Sequence, residues 1–311
     1  MKNYIILLAT IVLFSCEDKI DLSNKLKNTE SQLVVDAFLN NLPETQTVVL
    51  SGTQPFYDNS SQKLISGATV TLTDVNTGTI FPFAEIEMGK FVSSTNGDMM
   101  LKVGHEYALN INYKDENFVA YSKMNRVVAV DSLFFVESET FSGEKKPGKY
   151  FAEFLATDSL GAGDRYWVRF YRNGVRNTQP EIINVVYDGS LGQSTQSEDS
   201  LVFIQPLRTA INESGEDKEY VANETLMVEI YSINSGVAFF LSSIASLSQQ
   251  SSGGAFGALF SQPPYNLPTN IQNTNEKGSK PVGYFCTSAV SNRLSTTVPF
   301  SAGNGRLKKI N

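Results

Sequence analysis

Side-chain chemistry in this chain has few starting points, because 311 residues contain one histidine, His105, and two cysteines, Cys16 and Cys286. His105 sits in the turn-like stretch VGHEY, with no second histidine or cysteine close to it in sequence. That removes most zinc chemistry and every histidine-based triad that takes its base from this chain. His105 therefore reads as a surface or turn histidine. The signatures G-x-S-x-G, G-x-G-x-x-G, the phosphate-binding loop and H-E-x-x-H are absent. A glycosidase needs only two carboxylates on adjoining strands. Asp164, with Arg169 and Glu153 in the same region, comes nearest to such a set, yet acids at strand ends are ordinarily solvated or salt-bridged. The residues argue against an enzyme and imply no cofactor. Asp74, Asn76 and Gly78 present alternating oxygens of a kind calcium accepts, but no closing acid follows at the expected distance, and a hairpin turn accounts for them.

Binding has the richer vocabulary. The chain carries 20 Phe, 13 Tyr and one Trp, and flat aromatics can stack on sugar faces or anchor a protein partner. Phe256, Phe260, Tyr265 and Asn266, in a stretch punctuated by glycine and proline, form the first candidate surface for a glycan or peptide ligand. Trp167 and Tyr171 form the second. Most other aromatics must fill cores.

Cys16 raises a different kind of chemistry. In MKNYIILLATIVLFSCEDKIDL, Lys2 gives a positive start and an apolar run from Tyr4 to Phe14 ends at Ser15 and Cys16. The run is too short to span a bilayer comfortably, which takes about 20 apolar residues. Leu13, Phe14, Ser15 and Cys16 resemble the bacterial lipobox, where cleavage leaves the cysteine first and its thiol becomes diacylated. The alternative is a plain secretory peptide with an incidental cysteine. On the lipobox reading residues 1–15 are a signal peptide, and residues 16–30, charged and polar, are a lipidated tether. Membrane lipid is then a partner through Cys16, with more than one acyl chain because one alone anchors only marginally. Cys286 is left with no partner for a disulfide and is expected as a buried small hydrophobe. With 25 Lys plus Arg against 32 Asp plus Glu, the net charge is -7. No basic patch invites a phosphate backbone, so nucleic acid is not an expected partner.

The elements that would position these residues are mainly β. QLVVDAFLN, TQTVVLSG, GATVTLTD, TIFPF, GKFVSS, HEYALNINYKD and NFVAYSKMNRVVAV are short strand patterns separated by turn residues. Six or seven of them in about a hundred residues predict an immunoglobulin- or transthyretin-like sandwich over 31–128. A second β-rich domain is expected over 129–303. There DRYWVRFYRNG alternates Tyr166, Val168 and Phe170 against Trp167, Arg169 and Tyr171, so both faces of that strand should be at least partly covered. NSGVAFFLSSIASLSQQ breaks the pattern: Val237, Phe240, Leu241, Ile244 and Leu247 form a helical stripe near 235–249, with Asn234 or Ser235 as cap. VGYFCTSAVSNR reads as a last central strand of the second domain, and residues 304–311 as a polar tail.

Taken together, the lipobox with its acidic Glu17 and Asp18, IDL, LVVDAFLN, ISGATVTLTD, AVDSLFF, PPYNLPTNI and GYFCTSAVS resemble the DUF4249 family of Bacteroidetes lipoproteins over nearly the whole mature chain. The early acidic pair resembles the export signal that takes such lipoproteins to the outer face of the outer membrane. The resemblance implies a surface-exposed accessory or ligand-binding partner of a TonB-dependent receptor in nutrient uptake, and it carries over no catalytic residues. A structural or adhesive lipoprotein and a glycan or peptide hydrolase are the competing classes.

Overall fold

Alternation of apolar and polar side chains writes most of the strands. In β1 (Leu33–Asn40), Leu33, Val35, Ala37 and Leu39 are buried, while Val34, Asp36 and Phe38 belong to the opposite face. The computed structural model describes residues 31–54, 60–93, 101–140, 142–189, 202–213, 218–252 and 267–298. Cys16 and the residues expected as leader, tether and tail fall outside these, as do Phe256, Phe260, Tyr265 and Asn266. The chain is mainly β, and among the described residues no helix is long and apolar enough to cross a membrane.

After β1 come β2 (Thr47–Gly52), β3 (Lys63–Leu64), β4 (Thr69–Asp74), β5 (Ile80–Glu87), β6 (Lys90–Ser93), β7 (Glu106–Tyr113) and β8 (Glu116–Lys123). The next strands are β9 (Ser132–Glu139), β10 (Lys145–Leu155), β11 (Arg165–Arg172), β12 (Val175–Arg176), β13 (Asn184–Tyr187) and β14 (Thr225–Ser232). The last three are β15 (Gln272–Asn273), β16 (Val282–Ser288) and β17 (Leu294–Thr297). Among the described residues two α-helices interrupt the series, α1 (Gln205–Thr209) and α2 (Ser235–Ser252).

The strands between Leu33 and Lys123 do not stand as two separate facing sheets. They join β15 and β16 in one curled, half-barrel-like sheet of order β15-β8-β7-β4-β5-β6-β2-β1-β16, with β3 on β2. The expected last strand, β16, thus belongs to the first sheet. It pairs parallel with β1, from Val34 opposite Val282 to Asn40 opposite Ser288. The curl brings β16 back toward β8, where side chains bridge the gap: Thr287 N–H donates to Ser122 Oγ at 2.9 Å, and Asn270 donates to the carbonyls of Tyr121 and Phe285 at 3.3 and 2.8 Å. The inside of the curl holds the first core, with Leu50, Leu72, Phe91, Tyr107, Phe118 and Phe285 among its residues.

Gly283 permits the parallel pairing. Its φ is +94°, and a Cβ there would lie 2.0 Å from the Val35 carbonyl oxygen, so only glycine lets β16 run this close to β1.

A second sheet has the order β12-β11-β14-β17 with β13 also on β11, and β9 and β10 form a separate pair. Tyr166, Val168 and Phe170 of β11 enter a second core with Phe154, Phe203 and Tyr220. The helix expected near 235–249 is α2, and its start is capped as its sequence implies: Asn234 Oδ1 accepts the Val237 N–H at 2.9 Å. Val237, Ala238 and Leu241 pack with Tyr284 and Cys286 in a third cluster, where α2 closes the space between the two sheets.

Candidate ligand-binding site

Both faces of β1 and of β11 are used. Their core-facing residues supply the first and second cores, which leaves the other faces turned toward the space beneath α2. Val34, Asp36 and Phe38 from β1, Gly283 and Tyr284 from β16, and Trp167 and Arg169 from β11 line a pocket of about 490 Å³. Phe240, Leu241 and Ile244 of α2 cover it, and the segment from Arg176 to Ile183 forms its rim. The rim is braced by Asn177, whose side-chain oxygen accepts the Gln179 N–H at 3.1 Å just before the 3-10 turn Pro180–Ile182. The volume falls among those of small-molecule sites, roughly 300–1,000 Å³.

Aromatic packing fixes the walls. Phe38 meets Trp167 edge to face at 5.7 Å and 67°, and Phe240 at 6.5 Å. Trp167 packs against Tyr231 at 6.1 Å, and Phe240 against Tyr284 at 5.0 Å. These rings tie β1, β11, β14, β16 and α2 into one frame.

Arg169 is the unusual member. Its guanidinium carbon lies 3.7 Å from the Trp167 ring centre and 4.1 Å from that of Tyr231, a double cation-π contact. Its Nε is buried without a hydrogen-bond partner, and among the described residues no carboxylate forms an ion pair with it. Burial pulls the guanidinium down from its ordinary range, while Tyr231 and Glu229 oppose that shift. A guanidinium nevertheless stays protonated in a protein. Glu229 stands opposite Arg169 in the β11–β14 ladder, but its oxygens are taken: Tyr171 and Tyr231 hydroxyls donate to it at 2.9 Å each, and Arg293 Nε donates to it as well.

Asp36 shares the pocket wall. Surrounding protein raises its carboxyl above the ordinary carboxylate range, and Arg169 and Arg176 pull in the other direction. The residue is nevertheless exposed to solvent. The site therefore combines two guanidinium groups, one carboxylate and mostly apolar walls.

Of the residues singled out from sequence, Trp167 is in the pocket, and Tyr171 lies farther along the same face of β11, bonded to Glu229. Asp74 and Asn76 form the β4–β5 turn. Asp74 Oδ1 accepts the N–H of Asn76 and Thr77 at 2.9 and 3.3 Å, Oδ2 meets His105 Nδ1 at 2.9 Å, and Asn76 Oδ1 accepts the Glu106 N–H at 2.8 Å. The oxygens a cation would need are thus engaged. Asp164 and Glu153 do not meet each other as a pair: Asp164 is bound by Arg126, and Glu153 by Arg208 at 2.9 Å. Asp158, Asp164 and Asp188 do converge, with ligand atoms within 4.8 Å of one another. Arg126 brings positive charge to that cluster, Tyr166 donates to Asp158 at 2.7 Å, and Gly163 N–H donates to Asp188 at 2.8 Å. Cys286 is fully buried, and burial pushes its thiol up to about 11.

Asp36, Phe38 and Phe240 carry no local signal that marks them as pocket residues. Arg169 carries one, a charge at the centre of a strand whose two faces are otherwise apolar or aromatic.

No curated protein matches the chain. A family model described as Domain of unknown function (DUF4249) matches residues 18–293. That span takes in both walls of the pocket, its α2 cover and every strand from β1 to β16, and the chain belongs to the DUF4249 family.

Proposed function

We propose that the protein is a non-enzymatic binding lipoprotein, anchored through Cys16 to the outer membrane of a Bacteroidetes cell and facing the exterior. It captures a small ligand, a glycan or peptide fragment or a related nutrient, as the accessory of a TonB-dependent receptor. The observation that carries the binding role is the pocket between the sheets, walled by aromatic rings around a half-buried guanidinium that makes no ion pair among the described residues. The membrane link rests on the lipobox and its acidic flank, and the receptor on the family resemblance.

The test is purification of the acylated protein from its native outer membrane in mild detergent, followed by mass spectrometry. Recovery of one TonB-dependent receptor in near-equal amount supports the accessory role, and recovery of the lipoprotein alone in several mild detergents rejects a stable receptor complex. Loss of palmitate labelling in Cys16→Ser tests the anchor.

An adhesive reading has one observation in its favour. Ile80, Ile86 and Met88, on and just after β5, are 62%, 54% and 63% exposed and offer apolar contact to another protein. Copurification of a surface protein other than a receptor, lost on Ile86→Asp, would favour it.

A further inference from the structure

We infer that the ligand of this pocket is a monocarboxylate with an apolar body, its carboxylate held by Arg169; this rests on the reading of the pocket as a ligand site. Charge comes first. The lining carries Arg169, Arg176 and Asp36, a net of one positive charge, and a single negative charge on the ligand balances it. Asp36 in the same wall repels a second negative charge.

Geometry narrows the choice further. Trp167 and Tyr231 pack against the Arg169 guanidinium at 3.7 and 4.1 Å, and the N–H groups it can still give to a ligand point outward in its own plane. A carboxylate is itself planar and meets that fork edge to edge with two parallel hydrogen bonds. A tetrahedral phosphate dianion would bring a charge that this pocket does not balance. The rest of the ligand meets a mostly apolar lining, Phe38, Phe240, Ile182 and Ile244 among it, with Gln62, Thr178 and Gln179 as its polar neighbours. An unpaired buried charge is costly, and truncating or supplying its partner changes binding strongly. The Arg169 guanidinium, which makes no ion pair among the described residues, is therefore where the ligand gains selectivity.

The chain contains a reporter at the right place, because Trp167 is its only tryptophan and carries the Arg169 stack. Full-length protein is titrated with octanoate, isovalerate and phenylbutyrate, each against its own primary amide, with Trp167 emission as readout. The expected result is a saturable change with at least one acid, bound about tenfold or more tighter than its amide, as a charge-assisted pair predicts. Arg169→Met then removes the preference, so that acid and amide bind alike. The comparison of acid with amide on the unaltered protein stands even where that variant does not fold.

Equal binding of acid and amide, or tighter binding of phenyl phosphate than of phenylbutyrate, overturns the carboxylate assignment and leaves the pocket as a ligand site. No saturable response to these acids, their amides, phenyl phosphate, or panels of oligosaccharides and short peptides overturns both that assignment and the pocket's role in binding.

Discussion

Gly283→Ala should uncouple the last strand from the first, and the size of the effect can be worked from the backbone. Gly283 has φ +94°, and its added Cβ would sit 2.0 Å from the Val35 oxygen and 2.8 Å from the Val35 carbon and nitrogen. Real Cβ contacts under 3.0 Å essentially do not occur, so the strands would have to part by about 1 Å. The obstacle is backbone, which no rotamer can clear. A left-handed conformation costs an alanine about 1–2 kcal/mol. Loss of two ladder hydrogen bonds adds about 1 kcal/mol each, and loosened packing of Tyr284 and Phe285 brings the total to about 4 kcal/mol, an exceptional value for one methyl group. Gly78→Ala is the internal control, because Gly78 has φ +74° with nothing within 4 Å of its virtual Cβ. It should cost only the conformational part, about 1–2 kcal/mol. Urea unfolding followed by Trp167 emission and circular dichroism measures both variants. A Gly283→Ala variant no less stable than Gly78→Ala would refute the argument that close approach of β1 and β16 demands glycine.

Three further outcomes are expected. Glu229→Gln removes the fully buried carboxylate that receives Tyr171, Tyr231 and Arg293. It should cost about 2–3 kcal/mol in urea unfolding, less than a fully buried pair because Arg293 is partly solvated, whereas Tyr171→Phe should cost about 1 kcal/mol. For Asp74, burial alone would raise the carboxyl, but hydrogen bonds from His105, Thr77 and Asn76 outweigh it and hold the carboxyl below its unfolded value of 3.8. Its contribution is then complete above pH 3.8 and lost as pH falls through the lower folded value, so Asp74→Asn should be less stable than the parent at neutral pH and equal to it in strong acid; an undiminished gap in acid would contradict this. Cys286, buried and with its thiol pushed up to about 11, should resist alkylation in the native protein and react in step with unfolding in urea, as followed by mass spectrometry.

Local order was readable wherever one face or one stripe set the pattern. The alternation in GATVTLTD gives β4, and the stripe from Val237 to Ile244 gives α2 with its Asn234 cap. DRYWVRFYRNG also discloses that β11 is covered on both faces, as the second core and the pocket show. The partner of a strand is another matter. Parallel pairing of β1 with β16 joins segments separated by most of the chain, and no turn between them fixes a register. The local trace of it is Gly283, a glycine inside an apolar strand pattern, which signals close backbone approach without saying to what. The site was legible in the same uneven way. Trp167 stands out as the lone tryptophan, but Asp36 and Phe38 become its neighbours only through the folding of β1 against β11. The aromatic group Phe256, Phe260, Tyr265 and Asn266 lies outside the described residues.

The pairing of β1 with β16 also sets an order of assembly. As the chain emerges from its N-terminal end, β2 can reach β1 through a short connection, but the other edge of β1 has no partner until Val282–Ser288 arrives. Contacts this remote in sequence form slowly, and an unpaired strand edge is a template for association with another chain. The exposed interval is therefore longest for the strand that enters first. Completion of β16 caps that edge, joins the half-barrel to α2 and makes the pocket, so binding competence and protection from edge-to-edge association arrive in the same late step.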